Sequence, residues 1–224
     1  MSITTHPSIA VTLPRLKNRG RLREATALLA AAALTPLSYA QTKPLNDTGI
    51  TFCGGATSGN NSPCLGTDPA GQDKHYGRDA AAMAGTLTKV GGSAGAPNGQ
   101  PNGFDFTKVC NSGQSAGQGT CPANPTGPGY GADEWGCTRD NVTGLLWEMK
   151  TTTGLRNQSH VYTWYKTASP DGYDGLASGG TCQTAGRCDT EKYVADVNTD
   201  RLCGHVDWRM PTIKELQSIV DLGR

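Results

Sequence analysis

The sequence predicts an α+β protein in which a glycine-rich, disulfide-stapled irregular region precedes a domain of short strands and helices. Three observations predict it. Thirty glycines and 13 prolines among 224 residues place much of the chain in loops. Residues 41–136 hold seven Leu, Ile, Val or Met against 20 glycines, whereas residues 137–224 hold 17 against nine. The first stretch therefore lacks the apolar surface to offset its own chain entropy, and the second supplies a core. Finally, the motif Thr212-x-x-Glu215 opens a run with Ile213, Leu216, Ile219 and Val220 at helical spacing.

The first 40 residues are set apart from both regions. Arg15, Lys17, Arg19, Arg21 and Arg23 precede an apolar stretch from Ala25 to Leu34, followed by Pro36 and the small residues Ser38 and Ala40. This is the layout of a secretory signal peptide with cleavage after Ala40. The expected organisation is thus 1–40 signal peptide, 41–136 Gly/Cys-rich region, 137–224 domain. The whole chain carries 20 basic and 19 acidic residues; residues 41–224 carry 15 and 18. Neither count supports nucleic acid or an anionic membrane surface as partner. No apolar run reaches the length of a membrane span. The expected location is secreted, periplasmic or at the cell surface.

All eight cysteines lie after Ala40, where an oxidising destination favours disulfides. Cys53–Cys64 and Cys110–Cys121 are two similar C-x10-C loops rich in Gly, Ser and Asn. Local closure of each stabilises the fold by about 2–3 kcal/mol. Cys182 and Cys188 close a third loop, which leaves Cys137 with Cys203. This is one of about 105 arrangements open to eight cysteines. Between the first two loops, Asp79 to Val90 predicts a short helix, and residues 91–103 read as linker.

In the second half, residues 141–144 predict a turn. A strand over Leu145–Lys150 is expected, with Leu145, Trp147 and Met149 on one face, and another alternating run at Val161–Lys166. Thr190 to Val197 predicts a helix capped by Asp189, with Tyr193, Val194 and Val197 on one side. Thr212 and Glu215 form a capping box for the last helix.

The segments DNVTGLLWEMK (140–150) and CGHVDWRMPTIKELQSIVD (203–221) resemble the Lcl (Legionella collagen-like) C-terminal domain family, with Met210 where leucine is usual. Residues 47–53, 76–89 and 104–110 are similar to segments found upstream in exported members. The resemblance implies a C-type-lectin-like build, in which Trp208, Arg209, Pro211 and Thr212 form a strand-to-helix landmark and Trp147 marks the preceding strand. Family members continue well beyond such a helix, so the sequence reads as the first part of that domain. The same structural group includes formylglycine-generating enzymes, whose cysteines lie late in the domain.

No Ser-His-Asp order, HExxH or phosphate loop is present, and catalysis is not expected. No cofactor is expected either; Asp196, Asn198 and Asp200 are spaced like calcium-loop oxygens, but Arg201 stands where such a loop wants glycine. For a carbohydrate, Tyr162, Trp164, Tyr165 and Tyr173 offer rings beside Asp171 and Asp174. The expected function is non-catalytic binding or adhesion to a glycan or another surface ligand. The alternatives are a structural component of the cell envelope or extracellular matrix, and an enzyme of the formylglycine-generating kind.

Overall fold

The computed structural model describes residues 11–12, 46–57, 59–91 and 102–222. The predicted signal peptide, apart from Val11–Thr12, and most of the linker lie outside the described residues. The protein is α+β. Strands β1 (Val11–Thr12), β4 (Phe106–Cys110), β5 (Trp135–Asp140) and β6 (Leu146–Glu148) form one antiparallel sheet in the order β1-β6-β5-β4. A two-residue ribbon, β2 (Cys53–Gly54) with β3 (Asn60–Asn61), stands apart. The helices are α1 (Gly77–Met83), α2 (Thr190–Thr199) and α3 (Ile213–Gln217).

The sheet joins the two compositional halves. Val109 of β4 lies opposite Cys137 of β5, so the boundary at residue 137 falls inside a strand. The 141–144 turn links β5 to β6. Asp140 holds it by accepting from the Val142 and Thr143 amides and the Thr143 hydroxyl, and Asn46 Nδ2 donates to the same carboxylate at 2.5 Å. Gly144 ends the turn at φ +75°, a conformation open to glycine at little cost.

The main core brings Val109, Cys137 and Leu146 from the sheet against Tyr193 and Val197 of α2, with Tyr162, Leu202 and Trp208 closing it. A second cluster pairs Leu145 and Trp147 with Ile219 on the other face. This revises the expected strand. It is three residues long, and Leu146 and Glu148 are buried as well as Leu145 and Trp147. Alternation marks a half-buried strand, whereas β6 is paired on both sides and covered on both faces.

The run at Val161–Lys166 is not a strand. It makes only single bridges, Val161 with Thr181, Thr163 with Asp189 and Tyr165 with Gly175. Its neighbours are glycine-rich: a Cβ on Gly175 would meet the Trp164 carbonyl oxygen at 2.1 Å, and one on Gly180 the Val161 carbonyl oxygen at 2.1 Å. The irregular backbone needs that closeness.

Helix ends follow local chemistry. The α1 helix is shorter than expected and is followed by Gly85 at φ +70°. Its N-cap residue offers no side-chain bond, and Asp47 accepts from the Asp79 amide in its place at 2.8 Å. Asp189 caps α2 by accepting from the Lys192 amide at 2.9 Å. Thr212 and Glu215 form the capping box of α3, which ends at Gln217, short of Val220. The four disulfides are Cys53–Cys64, Cys110–Cys121, Cys137–Cys203 and Cys182–Cys188. Among the described residues, no helix is long and apolar enough to cross a membrane.

Candidate functional site

Residues 161–190 form a lobe built on the bridges just described and closed by Cys182–Cys188. The lobe divides the six residues expected at a ligand face. Tyr162 turns inward: it is buried, and its ring lies 4.6 Å from that of Tyr193. Burial pushes its hydroxyl above the usual range for tyrosine, so it acts as core. Trp164 turns outward and is 51% exposed, and Tyr173 is 72% exposed. The backbone amide of Leu176 donates to the Trp164 carbonyl at 3.0 Å, which sets the exposed Leu176 directly across from Trp164.

Tyr165 is half-buried, with Lys192 Nζ 5.6 Å from its ring centroid. Asp171 accepts from the Ser169 hydroxyl and Asp174 from the Ser169 amide, both at 2.8 Å. The Ser169 bond holds the Asp171 carboxyl below its usual range. These aspartates fix the loop that presents Tyr173. Behind them, Asp189 binds the Ser178 amide and Lys192, tying the lobe to α2.

The residues spaced like a calcium loop have other partners. Asp196 and Asn198 lie on α2 and Asp200 is its C-cap, so Asn198 points away from the face that Asp196 and Asp200 share. Asp196 is paired with Arg187, and the Asn198 amide both donates to the Trp208 carbonyl (3.0 Å) and accepts from its amide (2.7 Å). A separate carboxylate cluster, Asp47, Asp73 and Asp79, was not apparent from spacing. Its oxygens accept from Thr48 and from the amides of residues 48, 49, 79 and 103. Burial raises the Asp79 carboxyl above its usual range, against the two backbone donors that lower it.

The Trp-Arg-Met-Pro-Thr segment, expected to lead from a strand into the helix, is held by specific bonds instead of by a strand at Trp208. Trp208 is buried and donates from Nε1 to the Leu202 carbonyl at 3.1 Å. Arg209 binds Glu215 through both terminal nitrogens, at 2.8 and 2.5 Å, and donates to the Met210 carbonyl. Pro211 leads into Thr212, whose hydroxyl caps α3.

The Arg209 bonds hold the Glu215 carboxyl down to about 2. A depressed carboxyl stabilises the fold above its ordinary value of 4.5, and that contribution is lost as pH falls from there toward 2. Screening at this partly exposed pair limits the loss to about 1 kcal/mol. Urea midpoints measured across that window should fall less in Arg209→Ala than in the parent; equal slopes would refute the pairing.

A cleft of about 210 Å³ on another side is lined by Asn111, Tyr130, Leu155, Arg156 and the end of α2. Arg156 was invisible in the spacing because its partners are backbone carbonyls: it is buried, with donors on Gly129, Gly136 and Met149 and on the Asn111 side chain. All of these are internal bonds, so Arg156 stitches the 129–131 loop to the sheet.

Residues 136–224 match the family described as Lcl C-terminal domain, which is the family that the 140–150 and 203–221 segments resemble. No curated protein and no solved structure matches the chain.

Proposed function

We propose that this chain with an Lcl C-terminal domain is an exported, non-catalytic binding protein, and that its 161–190 lobe engages a glycan. One observation carries the reading: Trp164, Leu176 and Tyr173 are exposed together on a lobe whose backbone is fixed by a disulfide and by the glycine contacts. Sugars stack their apolar faces on such rings, and neighbouring carboxylates and amides bind the hydroxyls. A C-type-lectin-like build is part of the same reading. Four disulfides accord with an oxidising destination. Cleavage after Ala40 would remove β1 and leave β6 as the edge of the sheet.

The non-catalytic reading is supported by the separate settings of the described histidines. His75 faces Cys53, His160 faces Leu155 and Tyr162, and His205 faces Asp207. None shares a partner with another.

The test is a glycan array probed with the full-length protein, then titration of the hits. Trp164→Ala should weaken binding at least about tenfold, roughly 1.4 kcal/mol, with the melting temperature unchanged. A selective hit unaffected by Trp164→Ala would remove the lobe from the reading. A second reading, a structural envelope component, is favoured by the exposed Ile213, Leu216 and Val220 on and after α3. A blank array together with concentration-dependent assembly in sedimentation velocity would support it.

A further inference from the structure

We propose that Cys53, Cys64 and His75 form a metal site that the disulfide holds closed: when a dithiol reduces Cys53–Cys64, two thiolates and one imidazole bind a single Zn²⁺ ion. The site is independent of the 161–190 lobe and of any glycan.

The geometry is already close to what zinc needs. One ligand atom from each of the three residues lies within 4.8 Å of the others, and His75 Nε2 stands 3.5 Å from Cys53 Sγ. Tetrahedral zinc with sulfur at about 2.3 Å and nitrogen at about 2.0–2.1 Å places its ligand atoms roughly 3.5–3.8 Å apart. The imidazole is therefore in place, and the two sulfurs need only separate once their bond is gone.

Bonds besides the disulfide hold the scaffold around these ligands. Gln72 clamps Gly54, accepting from its amide at 2.5 Å and donating to its carbonyl at 2.9 Å. Cys53 sits in the β2–β3 ribbon opposite Asn61. Asp68 accepts from the Leu65 amide at 2.6 Å and from Asn61 Nδ2 at 2.7 Å, which holds the residues around Cys64. His75 ends a 3-10 turn and donates its amide to the Gln72 carbonyl at 3.0 Å. Gln72 thus links the cysteine ribbon to the histidine turn directly.

Exposure leaves two disulfides open to a reductant, since Cys64 and Cys182 are partly exposed whereas Cys110, Cys121, Cys137 and Cys203 are all buried. The imidazole selects between them, because His75 stands beside Cys53. A thiolate of the dithiol attacks Cys64 Sγ, and the electron pair of the S–S bond leaves on Cys53 Sγ, beside the His75 imidazole. The second thiol of the reductant then displaces Cys64, so the reductant departs as a disulfide and the protein keeps two thiols. Zinc replaces their two protons, His75 binds through Nε2, and the fourth position takes water. The Asp47, Asp73 and Asp79 cluster offers no comparable site, because backbone and hydroxyl donors already occupy it.

The test uses the full-length protein, reduced anaerobically with dithiothreitol, desalted, and alkylated with iodoacetamide with and without zinc chloride. Peptide mass mapping reads each cysteine separately. Zinc should slow alkylation of Cys53 and Cys64 at least about tenfold while leaving Cys182 and Cys188 unchanged. Cobalt chloride in its place should give a thiolate-to-metal charge-transfer band that saturates at one equivalent. His75→Ala, which keeps the disulfide in the oxidised protein, should lose most of the protection. Equal protection in His75→Ala overturns the proposal, and so does protection at the other cysteines only. An absence of protection overturns it too, including where reduction alone unfolds the loop.

Discussion

Glu148→Ala is expected to lower stability by about 3–5 kcal/mol, read as a fall in the free energy of urea unfolding. Glu148 lies on β6 with its side chain fully buried, accepts from the Tyr193 hydroxyl, and is paired with Lys150 at 3.2 Å. Lys150 in turn donates to the Tyr193 hydroxyl at 2.7 Å, with its ammonium 4.3 Å from the ring centroid. Burial raises the Glu148 carboxyl and lowers the Lys150 ammonium, and each is opposed by its partner. Removing the carboxylate leaves a cation at 13% side-chain exposure and a buried hydroxyl without its acceptor. Tyr193→Phe keeps the ion pair and should cost about 1–3 kcal/mol. Replacing Glu148 and Lys150 together with methionine should recover much of the loss, since a buried pair is worth little against well-packed apolar groups. A Glu148→Ala cost under about 1 kcal/mol would show that water reaches Lys150 and that the cluster is not a structural unit.

Loss of the Cys137–Cys203 disulfide by a double alanine replacement should cost about 4 kcal/mol, the largest effect of the four. It joins β5 to the turn after α2 across a sequence separation of 66, against 11, 11 and 6 for the others. Closing a longer loop removes more entropy from the unfolded chain, and the same reasoning gives about 2 kcal/mol for Cys182–Cys188. Both sulfurs are in the main core, so the replacement also loses packing there. Arg201 and Cys203 have φ of 53° and 49°, and release of that backbone strain should return part of the loss. Chemical denaturation of the two double variants side by side decides the matter. If the Cys182, Cys188 variant loses as much as the Cys137, Cys203 variant, loop length does not set the order.

How much of this was legible in the sequence depends on the range of the forces involved. The Thr212–Glu215 capping box and the Asp189 cap appear as read, because both join residues three positions apart and need no distant partner. The three local disulfides match the pairing that short loops favour, whereas Cys137–Cys203, 66 residues apart, was reached only by exclusion. Other readings failed where tertiary neighbours decide. Tyr162 and Trp164 are two residues apart in one alternating run, yet one is packed on Tyr193 and the other faces solvent. Alternation puts residues two apart on one face, but this run makes only isolated bridges and is not a regular strand, so its two rings part. The same limit hid Glu148, a charged residue made buriable by a tyrosine 45 positions away.

By itself, then, the sequence determined the α+β class, the starts of α2 and α3 and the likeness to the Lcl C-terminal domain, all of which rest on composition or on residues near one another in the chain. Only the tertiary structure decided that Val109 of the glycine-rich half completes the core, that β6 is covered on both faces, and that His75 stands beside the Cys53 sulfur. The physical reason is common to all three. Burial and sulfur–imidazole contact are short-range, and the folded chain sets which distant residues come within reach.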